Sequence, residues 1–320
     1  MGRLSTKIDS DKIVYKAGMK MKNSATFPQV LLLGNGINRA YGGGSWVDML
    51  KTITKRDDLP KDLKSPMPLQ AILRSNDQLS MVLRSQEFKK AWSENSIYDE
   101  YQNCLTRVLN LPVSEILTTN YSYELEMAAL KATTIKESRL KAIIMHSNCV
   151  KKCENKYRFY TYNRLPNEMR IWHIHGEARI ANTMILGHYY YANNLAKMRE
   201  VLQGSSKRYA TKAKMKILEF DSWLDTFILG DVYVLGFEFD LSEFDLWWLL
   251  NRKKLEKAEH GKVYFYEPRT AAFNEKLELL RLMDVEILDC GFDKGDNELS
   301  DYKPFYNAAI QDIQERIAKD

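Results

Sequence analysis

A glycine-containing loop follows the first apolar run of the chain. Gly34 and Gly36 come directly after VLLL at residues 30–33, and Asn38 and Arg39 follow them. Glycines let a backbone turn sharply and approach a diphosphate, and a helix that begins there directs N–H groups and partial positive charge at it. Arg39 adds a charged donor, but it also occupies the position of the third glycine in a dehydrogenase fingerprint, which disfavours a Rossmann dehydrogenase. The loop predicts nucleotide diphosphate binding, with a tight turn that binds no ligand as the alternative.

Three further strings place polar residues at the ends of predicted strands. They are ILTTNYSYELE, WHIHGE and VLGFEFDLSEFDLWW. Ligands of open α/β sheets bind at the carboxyl ends of the strands, so Asn120 and His175 are candidates for a site. Each has an alternative role: Asn120 as the cap of a helix that starts at Tyr121, and His175 as a turn residue before Gly176. His173 alternates with apolar neighbours, and we interpret it as structural.

The elements that must position these residues are short apolar runs alternating with helical stretches. Turn or polar residues flank the runs, as expected of strands buried on both faces of a parallel sheet. The runs lie at residues 30–33, 115–117, 170–174, 232–235, 263–266 and 285–288. Helical patterns lie at residues 242–257, 271–283 and 301–320. We predict an α/β, Rossmann-like fold with a mostly parallel six-stranded sheet, helices on both faces and helical insertions.

Two long intervals interrupt this alternation. Apolar residues at helical spacing fill residues 46–110 and 189–227, so we predict helical insertions packed beside the sheet. The insertions belong to a single domain over residues 28–320, which follows a basic N-terminal arm at residues 1–27. Because the net charge is only +5, we interpret the arm as a solvated or oligomer-docking tail and expect no direct nucleic-acid binding.

The composition indicates a globular protein of a reducing compartment. Of the 320 residues 45% are hydrophobic, yet no run reaches the roughly 18 to 20 apolar residues that span a bilayer. The first thirty residues carry scattered lysines instead of the apolar core of a signal peptide. Four cysteines are too few for a disulfide framework in a chain of this length. We expect a cytoplasmic protein that does not contact membranes.

Taken in order, LLLGNGINRA and the three later strings resemble the motifs of sirtuins, and more closely those of divergent bacterial SIR2-like domains linked to phage defence. The resemblance covers residues 28–292 and implies that NAD binds to this domain. It implies catalytic roles for His175 and Asn120. The NAD-binding residues that it implies are Gly34, Gly36, Asn38, Arg39, Thr119, Gly236, Phe237 and Glu238.

The sequence departs from this family at several positions. Ser122 stands where sirtuins usually carry Asp, and Glu238 stands where they carry a small hydroxyl residue. The paired C-x-x-C motifs that hold zinc in protein-deacetylating sirtuins do not occur in the sequence. His146, Cys149 and Cys153 lie before WHIHGE without an obvious fourth ligand, so we expect no metal.

Without the zinc module, water becomes the natural acceptor. The resemblance then implies an enzyme, an NAD glycohydrolase (NADase) that produces ADP-ribose and nicotinamide through an oxocarbenium-like state. His175 would accept a proton and Asn120 would orient water or a ribose hydroxyl, with Glu177, Glu124 and Asp240 as candidates for a supporting carboxylate. The defence resemblance also implies a cell-suicide effector that a partner protein or homo-oligomer formation activates. The alternatives are a catalytically silent module that binds NAD or ADP-ribose for a larger complex, and a protein ADP-ribosyltransferase.

Overall fold

The computed structural model of the chain describes residues 27–43, 51, 57–58, 96–132, 148–149, 159, 161–165, 169–178, 180, 183–185, 187–214, 220, 222–271, 274–294 and 302–319. Almost all of the predicted N-terminal arm, most of the predicted insertion at residues 46–110, and both His146 and Cys153 lie outside the described residues. Within the described part of the chain, no helix is long and apolar enough to cross a membrane.

Six parallel strands occupy the predicted positions. They are β1 (Gln29–Leu33), β2 (Glu115–Thr118), β5 (Arg170–His173), β6 (Asp231–Leu235), β7 (Val263–Tyr266) and β8 (Val285–Leu288). Their spatial order is β5-β2-β1-β6-β7-β8. This is the strand order of dinucleotide-binding sheets, and it reverses between the paired strands β1 and β6. The prediction of a Rossmann-like, mostly parallel sheet is confirmed.

The predicted number of six strands is wrong. A seventh strand, β4 (Thr161–Arg164), pairs antiparallel with β5, and a two-residue strand, β3 (Asn148–Cys149), extends that edge. The sequence of β4 is TYNR, so it has no apolar run that could reveal it. Its polar Asn163 is nevertheless buried, because its amide Nδ2 donates to Oε1 of Glu126 at 2.9 Å.

Helices cover both faces of the sheet. They are α1 (Gly36–Ala40), α2 (Ser96–Leu109), α3 (Glu124–Ala132), α4 (His188–Val201), α5 (Ser205–Lys214), α6 (Trp223–Leu229), α7 (Phe244–Lys254), α8 (Glu275–Leu282) and α9 (Lys303–Lys319). Helices α4 to α6 make the described part of residues 189–227 largely helical, as predicted. Helices α7, α8 and α9 lie inside the three predicted helical stretches and are shorter than them.

The core has two layers, one on each side of the sheet. In β1, Val30 and Leu32 pack toward the layer that contains α4, α6, α7 and α8, whereas Leu31 and Leu33 pack toward the layer of α1, α2, α3 and α9. All four side chains are buried, and each contributes roughly 1.5 to 3 kcal/mol. Burial on both faces explains why β1 is a continuous apolar run.

A buried lysine joins α7 to the end of α6. The Nζ of Lys253 donates to the carbonyl oxygens of Phe227 at 3.1 Å, Ile228 at 3.0 Å and Gly230 at 2.6 Å. Carbonyls at a helix end have no following turn to bond them, and the amine of Lys253 supplies the donors that they lack. Lys253 therefore fixes the carboxyl-terminal part of α7 against α6.

Candidate active site

The turns that follow β1 and β6 pack against each other. The N–H of Gly34 donates to the carbonyl of Leu235 at 3.0 Å, and the N–H of Gly36 donates to that of Gly236 at 2.7 Å. A Cβ on Gly34 would lie 2.4 Å from the Gly236 oxygen, and one on Gly36 would lie 2.5 Å from the Tyr306 hydroxyl. The packing of the two turns therefore accounts for both predicted glycines without a ligand.

Asn38 is held by contacts within the protein. Its Oδ1 accepts from the hydroxyl of Tyr101 at 2.6 Å, and its Nδ2 donates to Oδ1 of Asn35 at 3.0 Å. Arg39 lies in the last turn of the five-residue helix α1. The N–H of Thr119 donates to the carbonyl of Leu33 at 3.2 Å, which brings the end of β2 to the end of β1.

Asn120 lies between the ends of β1, β2 and β5. Its Nδ2 donates to the carbonyl of Gly34 at 3.4 Å, and its N–H donates to Oγ1 of Thr118 at 3.1 Å. Its own carbonyl oxygen lies 2.8 Å from Nδ1 of His173. Helix α3 begins only at Glu124, so Asn120 is not the cap of a helix that starts at position 121. The structure thus brings Asn120 to the predicted glycine loop.

His173 is buried, and both of its ring nitrogens have partners. Nδ1 contacts the Asn120 carbonyl, and Nε2 lies 2.9 Å from Oε1 of Glu126. Burial by itself lowers the pKa of His173, but the charge of Glu126 and the hydrogen bond to it outweigh burial and raise the pKa to about 9. His173 is therefore an imidazolium at neutral pH that holds the backbone of Asn120.

The side chain of His175 lies between two carboxylates. Its Nε2 is 3.2 Å from Oδ2 of Asp245, and its Nδ1 is 3.8 Å from Oε2 of Glu243. His175 follows β5 and both acids follow β6, so the three side chains meet at the carboxyl edge of the parallel sheet. Their exposed fractions are 4% for His175, 1% for Asp245 and 12% for Glu243. We call these three residues the His175 cluster.

A tight turn positions the His175 cluster. Gly176 has a φ of +91°, and a Cβ at this position would lie 2.2 Å from the carbonyl oxygen of Thr183. The His175 carbonyl accepts from the N–H of Ile185 at 2.8 Å. Only glycine allows this close approach, so the H-G pair of the sequence is a structural requirement for placing His175.

The two carboxylates of the cluster have their own donors. The hydroxyl of Tyr191 donates to Oε2 of Glu243 at 2.5 Å, and Nδ2 of Asn194 donates to Oδ2 of Asp245 at 2.7 Å. Burial alone raises the pKa of Asp245, but His175, Asn194 and the Leu246 N–H outweigh it and hold that pKa below its usual value. Burial raises the pKa of Glu243 to about 7. The cluster therefore combines an ionised carboxylate with one that titrates near neutral pH.

The cluster also has the composition of a metal-binding group. One ligand atom from each of His175, Glu243 and Asp245 lies within 4.8 Å of the other two. A bound ion requires one imidazole nitrogen and both carboxylates to point at a common position. Here Nε2 lies nearest Asp245 and Nδ1 lies nearest Glu243, so each nitrogen faces a different carboxylate. We therefore interpret the cluster as an ion-pair network.

The three carboxylates suggested by the sequence have other partners. Oε2 of Glu177 accepts from the Tyr123 hydroxyl at 2.8 Å, and Oδ1 of Asp240 accepts from the Ser242 N–H at 2.8 Å. Glu124 accepts from the hydroxyl of Ser122. The acids that lie beside His175, Glu243 and Asp245, were missed. Both acids lie in the segment FDLSEFDLWW, which follows β6. His175 was selected because ligands bind at the carboxyl ends of parallel strands, and the same rule could have selected these two acids.

The residues after Gly236 divide between core and surface. Phe237 is buried and packs edge-to-face on Phe239, with ring centroids 4.9 Å apart. Glu238 is exposed. The backbones of Gly236 and Phe237 both pack against Gly34 in the turn after β1.

No protein-family model matches this chain, and a search of curated proteins also finds no match.

Proposed function

We propose that the chain is an NAD glycohydrolase that cleaves the bond between nicotinamide and ribose. The observation that carries the proposal is the His175 cluster, an imidazole between two carboxylates at the carboxyl edge of the sheet. The strand order is that of dinucleotide-binding sheets, whose ligands bind at this edge where the order reverses. The motif resemblance to SIR2-like domains supports the same assignment.

The chemistry of the bond matches the charges of the cluster. Nicotinamide leaves NAD as a neutral molecule from a cationic precursor, so departure needs little acid assistance, and the ribose becomes oxocarbenium-like. Carboxylates near this centre stabilise developing positive charge, and one that titrates near pH 7 can take a proton from water. Asn120, held by His173 and Gly34, is suited to orient water or a ribose hydroxyl.

A specific observation favours a second candidate, a catalytically silent module that binds NAD or ADP-ribose. Both nitrogens of His175 face protein carboxylates, and the glycine turns are packed against each other. In such a module the cluster would be structural, and nucleotide binding would proceed without turnover.

One product analysis separates these functions. The purified chain is incubated with NAD labelled in the adenine ring, and the products are resolved by chromatography. We expect nicotinamide and ADP-ribose in equal amounts. Labelled protein indicates ADP-ribosyl transfer, and NAD that stays unchanged across the whole protein concentration range, with measurable binding, indicates the silent module. Either result would overturn the proposal.

The motif resemblance supports a triggered effector, so we further propose that assembly or a partner protein raises a low basal turnover. Turnover per chain should then increase with protein concentration in the NAD assay. Full activity of a monomer at high dilution would contradict this part of the proposal.

A further inference from the structure

Glu243 differs from the rest of the His175 cluster in the atoms that it leaves available. Both nitrogens of His175 face carboxylates, and Oδ2 of Asp245 contacts both His175 and Asn194. The contacts of Glu243 with His175 and Tyr191 both involve Oε2. None of the described residues forms a hydrogen bond or an ion pair with Oε1, and this side chain is the most exposed of the three.

We infer that Glu243 is the residue that accepts the proton from the attacking water, and that His175 is a positioning residue that acts through it. The inference rests on the proposed function and assigns roles within the same site. Turning a His175 nitrogen toward a substrate would separate it from the carboxylate that it faces, whereas Glu243 can use Oε1 and keep both contacts of Oε2.

The proton transfer balances within the proposed hydrolysis. The oxygen of water forms a bond to C1′ of the ribose while its proton passes to Oε1 of Glu243. The bond between C1′ and the nicotinamide nitrogen breaks, and its electron pair neutralises the pyridinium ring. Glu243 then releases the proton to solvent, and the products are ADP-ribose and nicotinamide.

The groups that face Glu243 keep it near its ionisation midpoint. Burial raises its pKa to about 7, His175 and the Tyr191 hydroxyl act to lower it, and Asp245 and Asp240 raise it. Burial and the two acids of the cluster raise the pKa of Tyr191 and of Tyr121, so both phenols stay neutral. A base of this strength can both take and release a proton at neutral pH.

The test compares the pH dependence of NAD cleavage in the full chain and its variants, with NAD affinity measured separately. In wild type, kcat should fall below pH about 7 as Glu243 becomes protonated. Glu243→Gln should lower kcat at least a hundredfold and remove this acid limb, while the Kd for NAD stays within threefold. Glu243→Asp should have a higher kcat than Glu243→Gln and should keep an acid limb in its pH profile. Glu278→Gln, which changes an exposed carboxylate of α8, should match wild type.

His175→Gln distinguishes the two roles. As a positioning residue, His175 lowers the pKa of Glu243, so its loss should reduce kcat and move the acid limb to higher pH. An acid limb that vanishes in His175→Gln and persists in Glu243→Gln would overturn the inference, as would a Glu243→Gln kcat within threefold of wild type. In either case the wild type remains active and the proposed function stands. A wild type that does not cleave NAD overturns the proposed function and this inference with it.

Discussion

Nδ1 of His173 lies 2.8 Å from the carbonyl oxygen of Asn120, so a buried cation of β5 fixes the backbone of a candidate catalytic residue in the loop after β2. Replacing His173 by Gln leaves the buried carboxylate of Glu126 without its imidazolium. Breaking a buried pair in this way costs about 3 to 5 kcal/mol. We expect the free energy of unfolding, measured by urea denaturation at pH 6, to fall by that amount in His173→Gln.

The pH dependence of this loss follows from the raised pKa of His173. A group whose pKa is higher in the folded state contributes stability below its unfolded pKa and loses it as the pH rises through the folded value, here about 9. The stability difference between wild type and His173→Gln should therefore shrink between pH 6 and pH 10. A difference that stays constant with pH would contradict the charged state of His173.

Glu243 should lower the free energy of unfolding in the pH range in which it is ionised. Its folded pKa of about 7 exceeds that of an unfolded glutamate, so stability decreases as the pH rises from about 4.5 to 7. We expect Glu243→Gln to raise the free energy of unfolding by up to about 3 kcal/mol at pH 8, with little gain at pH 4.5. Urea denaturation at the two pH values measures this without any enzymatic assay. An equal change in the free energy of unfolding at both pH values would show that Glu243 does not titrate between them.

Alanine substitutions at two glycines with positive φ distinguish the cost of backbone strain from the cost of steric overlap. Gly176 and Gly204 have φ values of +91° and +74°, but a Cβ on Gly204 meets nothing within 4 Å. We expect Gly204→Ala to cost about 1 kcal/mol of stability, from conformation alone. Gly176→Ala should cost roughly 2 kcal/mol more, because its methyl group meets the Thr183 carbonyl. Thermal unfolding of the two variants compares these costs, and similar melting temperatures would exclude the overlap.

The ion-pair interpretation of the His175 cluster predicts that metal is dispensable. Dialysis against a strong chelator should change neither the melting temperature nor NAD cleavage. A stoichiometric metal ion in the purified protein, lost together with activity on chelation, would show that the cluster binds metal.

The parallel strands were predictable because burial on both faces selects apolar residues at every position, as in β1. β4 was not, because its burial depends on a hydrogen bond between Asn163 and Glu126 that no local pattern encodes. Hydropathy detects side chains that avoid water by being apolar. It does not detect those that are buried because a distant residue satisfies their polar atoms.

The same distinction applies to the candidate site. The sequence pointed to Asn120 and His175 because each stands beside a recognisable strand end. Glu243 and Asp245 meet His175 only through the arrangement of β5 and β6, which lie on opposite sides of β1 and β2 in the sheet. Their neighbours in sequence are the hydrophobic residues of a helix start, so helix formation alone explains them locally.

Helix α7 is clamped at both ends. Its first turn holds Asp245 against His175, and about 12 Å further along its axis Lys253 is bonded to three carbonyls at the end of α6. Sliding or unwinding α7 would break contacts at both ends at once. The helix is therefore a rigid element, and it fixes the positions of Glu243 and Asp245 before any substrate binds.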